Sequence, residues 1–201
     1  LRIAAAGDVV GESASVTVNS TGTVTSNTFT FWGLNVALGT ANPPAGVIPV
    51  SPGSAVKEVI QIRLSAVGEA IDVSEVKLTL GGTASYGDNG VYRVRLYKDT
   101  GPTPGTLDEG TGGDELIGTQ DAALTVTFYP SGVSVPAAGT YNLLGVVIAG
   151  ATPTPDATVT LRVAAAGDVK GTGLTLGEVS SFGTATSNTM TFISGGSPGL
   201  L

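Results

Sequence analysis

A chain of 201 residues with 41% hydrophobic content is long enough to bury a core, and its 12% charged content is about half the usual share. Nine Lys and Arg stand against 16 Asp and Glu, for a net charge of −7, so no basic cluster exists to displace counterions from nucleic acid. The absence of His and Cys excludes His-dependent nucleophile triads, His metal sites and thiolate chemistry.

The chain opens on a segment that it later repeats. Residues 1–12 (LRIAAAGDVVGE) return as 161–172 (LRVAAAGDVKGT), identical at nine of twelve positions. Residues 22–31 (GTVTSNTFTF) return as 183–192 (GTATSNTMTF), identical at eight of ten. The offset is 160 in the first block and 161 in the second, so the copies differ by one residue in between. A fixed period is the signature of an array. The chain then holds one copy of about 160 residues and the tail of a preceding one. Residues 1–38 are read as that partial repeat, with about three strands. So few strands are marginal in water, and the segment requires partners, either in a longer polypeptide or in a neighbouring subunit; the competing reading folds all 201 residues into one larger sandwich with an internally duplicated hairpin. Phe29 and Phe31 alternate with threonines and, with Trp32, are the assembly contacts nominated here. Asn19-Ser20-Thr21 is an N-glycosylation pattern.

Residues 39–54 (GTANPPAGVIPVSPGS) carry four prolines and three glycines and read as a linker or an irregular edge, with a domain boundary placed here. Residues 55–193 read as the full module. Within it, period-two alternation dominates. Ile60, Ile62, Leu64 and Ala66 face away from Gln61, Arg63 and Ser65. Residues 69–77 carry the nearest thing to a helical stripe, but Val73, Ser74 and Val76 favour a strand. Val76, Leu78 and Leu80 alternate with Lys77 and Thr79. Tyr92, Val94 and Leu96 alternate with Arg93 and Arg95. Leu124, Val126 and Phe128 then alternate with threonines, and Val159, Leu161 and Val163 with Thr158, Thr160 and Arg162. Residues 141–149 (YNLLGVVIA) are apolar on both faces and mark a central strand. Turn signals fall between these runs, at Asp88-Asn89-Gly90, Gly112-Gly113 and Pro130-Ser131-Gly132 among others. Seven to nine short antiparallel strands form a sandwich, and residues 194–201 are a Gly/Pro tail.

Little chemistry remains open. Glycoside hydrolysis needs only two carboxylates, but Trp32 is the single tryptophan and no aromatic-rich cleft is legible. The chain reads as non-enzymatic. Its longest apolar run, residues 141–151, is about half of the ~20 residues that span a bilayer, so no membrane span is expected. One acidic cluster follows the strand ending at Tyr97: Asp99, Asp108, Glu109, Asp114 and Glu115 share a Gly- and Pro-rich loop. Calcium takes several oxygens from flexible loops, which nominates Asp99, Asp108, Asp114 and Glu115 as a weak calcium loop. The competing reading is a solvated loop with no cofactor.

The strand VYRVRLYKD (91–99) leading into the acidic loop, then ALTVTF (123–128), TLRVAAAGDV (160–169) and TSNTMTF (186–192), resembles the tandem immunoglobulin-like modules of prokaryotic cell-surface and filament proteins. The resemblance implies an all-β, immunoglobulin-like antiparallel sandwich at the cell surface or outside the cell, with a structural or adhesive role. It carries no functional residue over. In pilus sandwiches of this style Lys–Asn isopeptide cross-links occur, and Lys57, Lys77, Lys98 and Lys170 are available, though no motif pairs them. The expected function is a structural subunit of a filament, surface layer or stalk. Its partners are other copies of itself or adjacent repeats, joined by strand pairing and apolar contacts. The alternative is an adhesin or carbohydrate-binding module with a glycan partner, for which Trp32 would be a stacking platform.

Overall fold

The computed structural model describes residues 2–3, 10–13, 16–19, 24–25, 33–50 and 54–194. The chain divides into two units, Leu1–Phe31 and Trp32–Leu201. Phe29, Phe31, Trp32 and the tail 195–201 lie outside the described residues. The described elements are all strands, and none is a helix able to cross a membrane, which leaves β-barrels unaddressed.

The first unit contains β1 (Arg2–Ile3), β2 (Val10–Ser13), β3 (Val16–Asn19) and β4 (Val24–Thr25). β1 pairs antiparallel with β4, and β2 pairs antiparallel with β3.

The second unit runs β5 (Gly33–Leu38), β6 (Gly46–Pro49), β7 (Val56–Val67), β8 (Ile71–Gly82), β9 (Val91–Lys98), β10 (Glu115–Asp121) and β11 (Thr125–Phe128). It continues with β12 (Ser134–Val135), β13 (Thr140–Ala149), β14 (Thr158–Val163), β15 (Val169–Gly173), β16 (Gly177–Ser180), β17 (Ala185–Thr186) and β18 (Met190–Ile193). One sheet has five strands in the order β10-β9-β13-β7-β5. The other follows β16-β15-β8-β14-β18-β6, with β11 and β12 on β8 and β17 on β14. β8 is the spine of this second sheet. One of its edges takes β15 and then β14, and the other takes β12 and then β11. The strand pairings are antiparallel except that of β6 with β18, which is parallel.

The two sheets enclose one core, as the alternation requires. Ile60, Ile62, Leu64, Val94, Leu96, Leu143 and Val147 of the first sheet meet Val76, Leu78, Phe128, Leu161, Val163 and Phe192 of the second, all buried. Space is tight at Gly145, where a Cβ would lie 2.6 Å from Ile60 Cγ2 on the paired strand and 3.3 Å from Leu161 Cδ1 of the facing sheet. β13 lies between β7 and β9, the central position its two apolar faces implied. The fold is an all-β sandwich.

Three expectations need correction. Residues 33–38, assigned to the partial repeat, form β5 and pair with β7 in the first sheet. Of the two readings of 39–54, the linker gives way to the edge, because Gly46–Pro49 forms β6 at the sheet border on β18. Prolines hid this strand; Pro49 ends it at a sheet edge, where a missing N–H is tolerated. Tyr92 does not join Val94 and Leu96 in the core. A register shift between Ile148 and Ala149 brings Val91 inward instead and leaves Tyr92 exposed.

Candidate functional site

The acidic loop is exposed at 102–104 and 109–112, yet it is anchored to the sheet. Leaving β9 after Lys98 and returning at β10, it folds over the outer face of the five-stranded sheet. There Leu107 packs against Tyr97, Leu144 and Val146, a second apolar cluster on the face opposite the main core. Glu58 on β7 accepts a hydrogen bond from the Leu107 N–H at 3.2 Å. Beneath the loop sits Gln61, fully buried on a strand whose alternation placed it toward solvent. Its Oε1 accepts from Ala41 N–H at 2.8 Å, and its Nε2 donates to Asp99 Oδ2. The backbone N–H of Gln61 donates to Asn42 Oδ1 at 2.9 Å. Gln61 thereby fastens both the 39–42 turn and the start of the acidic loop to the sheet.

The loop carboxylates are engaged with its own backbone. Asp114 Oδ1 accepts from Thr100 and Gly101 N–H at 2.9 and 2.8 Å, and its Oδ2 accepts from Asp108 N–H at 3.0 Å. Asp108 Oδ2 accepts from Thr103 N–H at 2.8 Å. Asp99 accepts from Gly105 N–H, at a residue with φ of +77° where a Cβ would run into Ala41 O. Such side-chain-to-backbone bonds replace the sheet ladder that a loop lacks. Burial pushes the Asp99 carboxyl above the usual range. The bonds from Gln61 and Gly105 oppose that shift, and the neighbouring charges of Asp114 and Asp108 add to it.

The structure brings Asp99, Asp108 and Asp114 into one hydrogen-bonded knot. Glu115 is separate: it begins β10 and pairs with Lys98 at 2.9 Å. Among the described residues no group of three or more His, Cys, Asp or Glu side chains is arranged to hold a metal ion. All four lysines considered for isopeptide bonds sit against carboxylates instead: Lys57 with Glu58, Lys77 with Asp168, Lys98 with Glu115 and Lys170 with Glu75. Asn19 closes β3 opposite Val10.

The repeated segment provides the second feature. In the second unit, β14 pairs with β17 so that Arg162 faces Thr186 and Val163 faces Ala185. In the first, Arg2 faces Thr25 and Ile3 faces Val24. β15 pairs with β16 from Lys170–Ser180 to Gly173–Gly177, and β2 pairs with β3 from Val10–Asn19 to Ser13–Val16. These are the same rungs at the repeat offset. The single-residue difference falls in the hairpin connection, residues 14–15 in one copy and 174–176 in the other.

Between β14 and β15, the turn 164–168 (AAAGD) is held by buried Asp168. Its Oδ2 accepts from Ala164 and Ala165 N–H at 3.1 and 2.9 Å, and its Oδ1 pairs with Lys77 of β8. The hydrogen bond and charge of Asp168 hold the Lys77 ammonium above its ordinary pKa. A second clasp comes from Glu69, whose carboxylate accepts from Thr175 and Leu176 N–H at 2.8 Å each, across the β15–β16 connection. Desolvation pushes Glu69 upward, but these backbone bonds outweigh it and hold the group below the usual range.

The chain matches no protein-family model and no curated protein. Among solved structures it is similar to the seventh ScaB type I cohesin from Pseudobacteroides cellulosolvens, with TM-score 0.40 and 14% identity over 84% of this chain and 97% of that one. It is also similar to AvmM, which catalyses macrocyclization in alchivemycin A biosynthesis (TM-score 0.35, 12% identity, 96% and 99% covered). A third is a family 123 glycoside hydrolase from Clostridium perfringens (TM-score 0.35, 8% identity, 81% and 27% covered). Likeness of this degree transfers no function.

Proposed function

We propose that the chain is a non-catalytic structural subunit of an extracellular filament, surface layer or stalk. Its copies join through β-strand pairing and apolar contacts. The observation that carries this reading is the repeated register: the strands of Leu1–Phe31 pair rung for rung as the closing strands of the second unit do. A sequence period that is also a period of strand pairing is how arrays of modules are built. The low charge supports it, since dense like charge opposes close stacking. So does the acidic loop, whose carboxylates are spent on holding the loop to the sheet. Electron microscopy of purified material, with mass determination of the intact chain, tests the reading. Filaments, ordered layers or a much longer parent chain are expected. Discrete globular monomers of about 20 kDa, with affinity for a glycan array, refute it.

A further inference from the structure

We infer that the edge formed by β1 and β2 is a docking site for one strand, the β8-type strand of a preceding repeat in the same polypeptide. This deepens the structural-subunit reading by naming the segment that joins the copies. The second unit shows what covers the equivalent edge. There, β14 and β15 carry β17 and β16 on one side and β8 on the other, with Leu161 opposite Leu80 and Gly171 opposite Val73. Among the described residues of the first unit, β1 and β2 carry only the β17-like and β16-like partners, as two separate two-stranded sheets. Isolated two-stranded ribbons are not stable in water without a further partner, and an open edge is a template for one more strand.

A second observation points to the same occupant. The turn between β14 and β15 places Asp168 in the interior, where its cation comes from β8 through Lys77. The repeat retains that whole turn as Ala4-Ala5-Ala6-Gly7-Asp8. An aspartate kept in this motif calls for a β8-type lysine opposite it. The donor is not the β8 of a second folded copy, because both edges of that strand are already taken by β14 and β15 and by β11 and β12. Nor is the donor strand identical to this chain's own β8. Lys170, which pairs with Glu75, becomes Val10 in the repeat, and Thr172, which faces Asp72, becomes Glu12. The preceding β8 therefore lacks the acids at those two register positions.

The test uses the isotope-labelled full chain and a synthetic peptide of the sequence Ile71–Gly82, followed by amide hydrogen exchange. Exchange at Arg2–Ile3 and Val10–Ser13 is expected to slow at least about tenfold on saturation, as local opening is suppressed. Lys77→Glu in the peptide is expected to weaken binding by at least about tenfold, because it sets a carboxylate, in place of the cation Asp168 meets, against the aspartate the repeat retains. Asp72→Lys with Glu75→Val is expected to strengthen it. A shuffled peptide with equal effect, or no change in 1–31 at millimolar peptide, overturns the inference. A full chain that is already dimeric with 10–13 protected assigns the edge to a second copy and overturns the tandem source. Filaments seen by microscopy without any peptide effect would sink this inference and leave the structural-subunit reading standing.

Discussion

Gln61→Ala is expected to loosen the outer face of the five-stranded sheet far more than its polar character suggests. The residue has no solvent exposure and its side chain makes two hydrogen bonds, to Ala41 N–H and Asp99 Oδ2. Removing it leaves Ala41 N–H without a mate and Asp99 with only its bond from Gly105 N–H, in a partly buried site. Each unsatisfied group costs about 1–3 kcal/mol. Both are only part-buried, so the lower half of that range applies to each, and the vacated side-chain volume adds to it. The sum is about 2–4 kcal/mol. Urea unfolding at pH 7 followed by circular dichroism reads this as a fall in midpoint at constant slope. A cycle with Asp99→Ala isolates the pair and should show a coupling of about 1–2 kcal/mol. A loss below about 0.5 kcal/mol, or no coupling, refutes the claim that Gln61 fastens the acidic loop to the sheet.

Asp99 and Glu69 should give stability slopes of opposite sign. Asp99 holds its proton more tightly in the folded state, so stability falls as pH rises from the ordinary carboxylate value through the raised one. Asp99→Asn should erase that fall and equal or exceed the parent at pH 7, as thermal midpoints between pH 4 and 7 will show. Glu69 is held low in the folded state, so its contribution is present above the ordinary value and is lost as pH falls through the lowered one. Glu69→Gln should remove that acid-side loss, and an unchanged slope between pH 3 and 5 contradicts the clasp on Thr175 and Leu176. Leu161→Ala, at a fully buried position between the sheets, should cost about 2–5 kcal/mol in the same urea assay. EDTA should move the thermal midpoint by less than about 1 °C, because backbone N–H groups already occupy the Asp108 and Asp114 oxygens. A rise of several degrees on adding calcium would instead restore Asp99, Asp108, Asp114 and Glu115 as a ligand set.

Alternation made most of the sandwich legible. Val159, Leu161 and Val163, or Val76, Leu78 and Leu80, each announce one dry and one wet face, and the core is built from them. The repeat was legible too, down to the one-residue offset that falls in the hairpin connection. Two features were not. β5 and β6 are short edge strands flanked by Gly and Pro, whose turn propensity dominates any window that contains them. The cover on the first sheet was hidden for another reason: a loop contributes no periodicity. One signal was present in Leu144 and Val146, which alternate with the core-facing Leu143 and Val147. A strand apolar on both sides needs something over each, and the acidic loop was the long segment free to supply it.

The parallel pairing of β6 with β18 joins a strand near the start of the second unit to the strand at its end. Tension along the chain would load β5 first and, once β5 has left β7, draw β6 and β18 lengthwise past each other, in shear. The rungs from Met190–Gly46 to Ile193–Pro49 would then have to rupture together rather than unzip one at a time. A module closed in this way resists stretching through the simultaneous failure of its bonds, so its mechanical strength exceeds what its short edge strand would give if peeled.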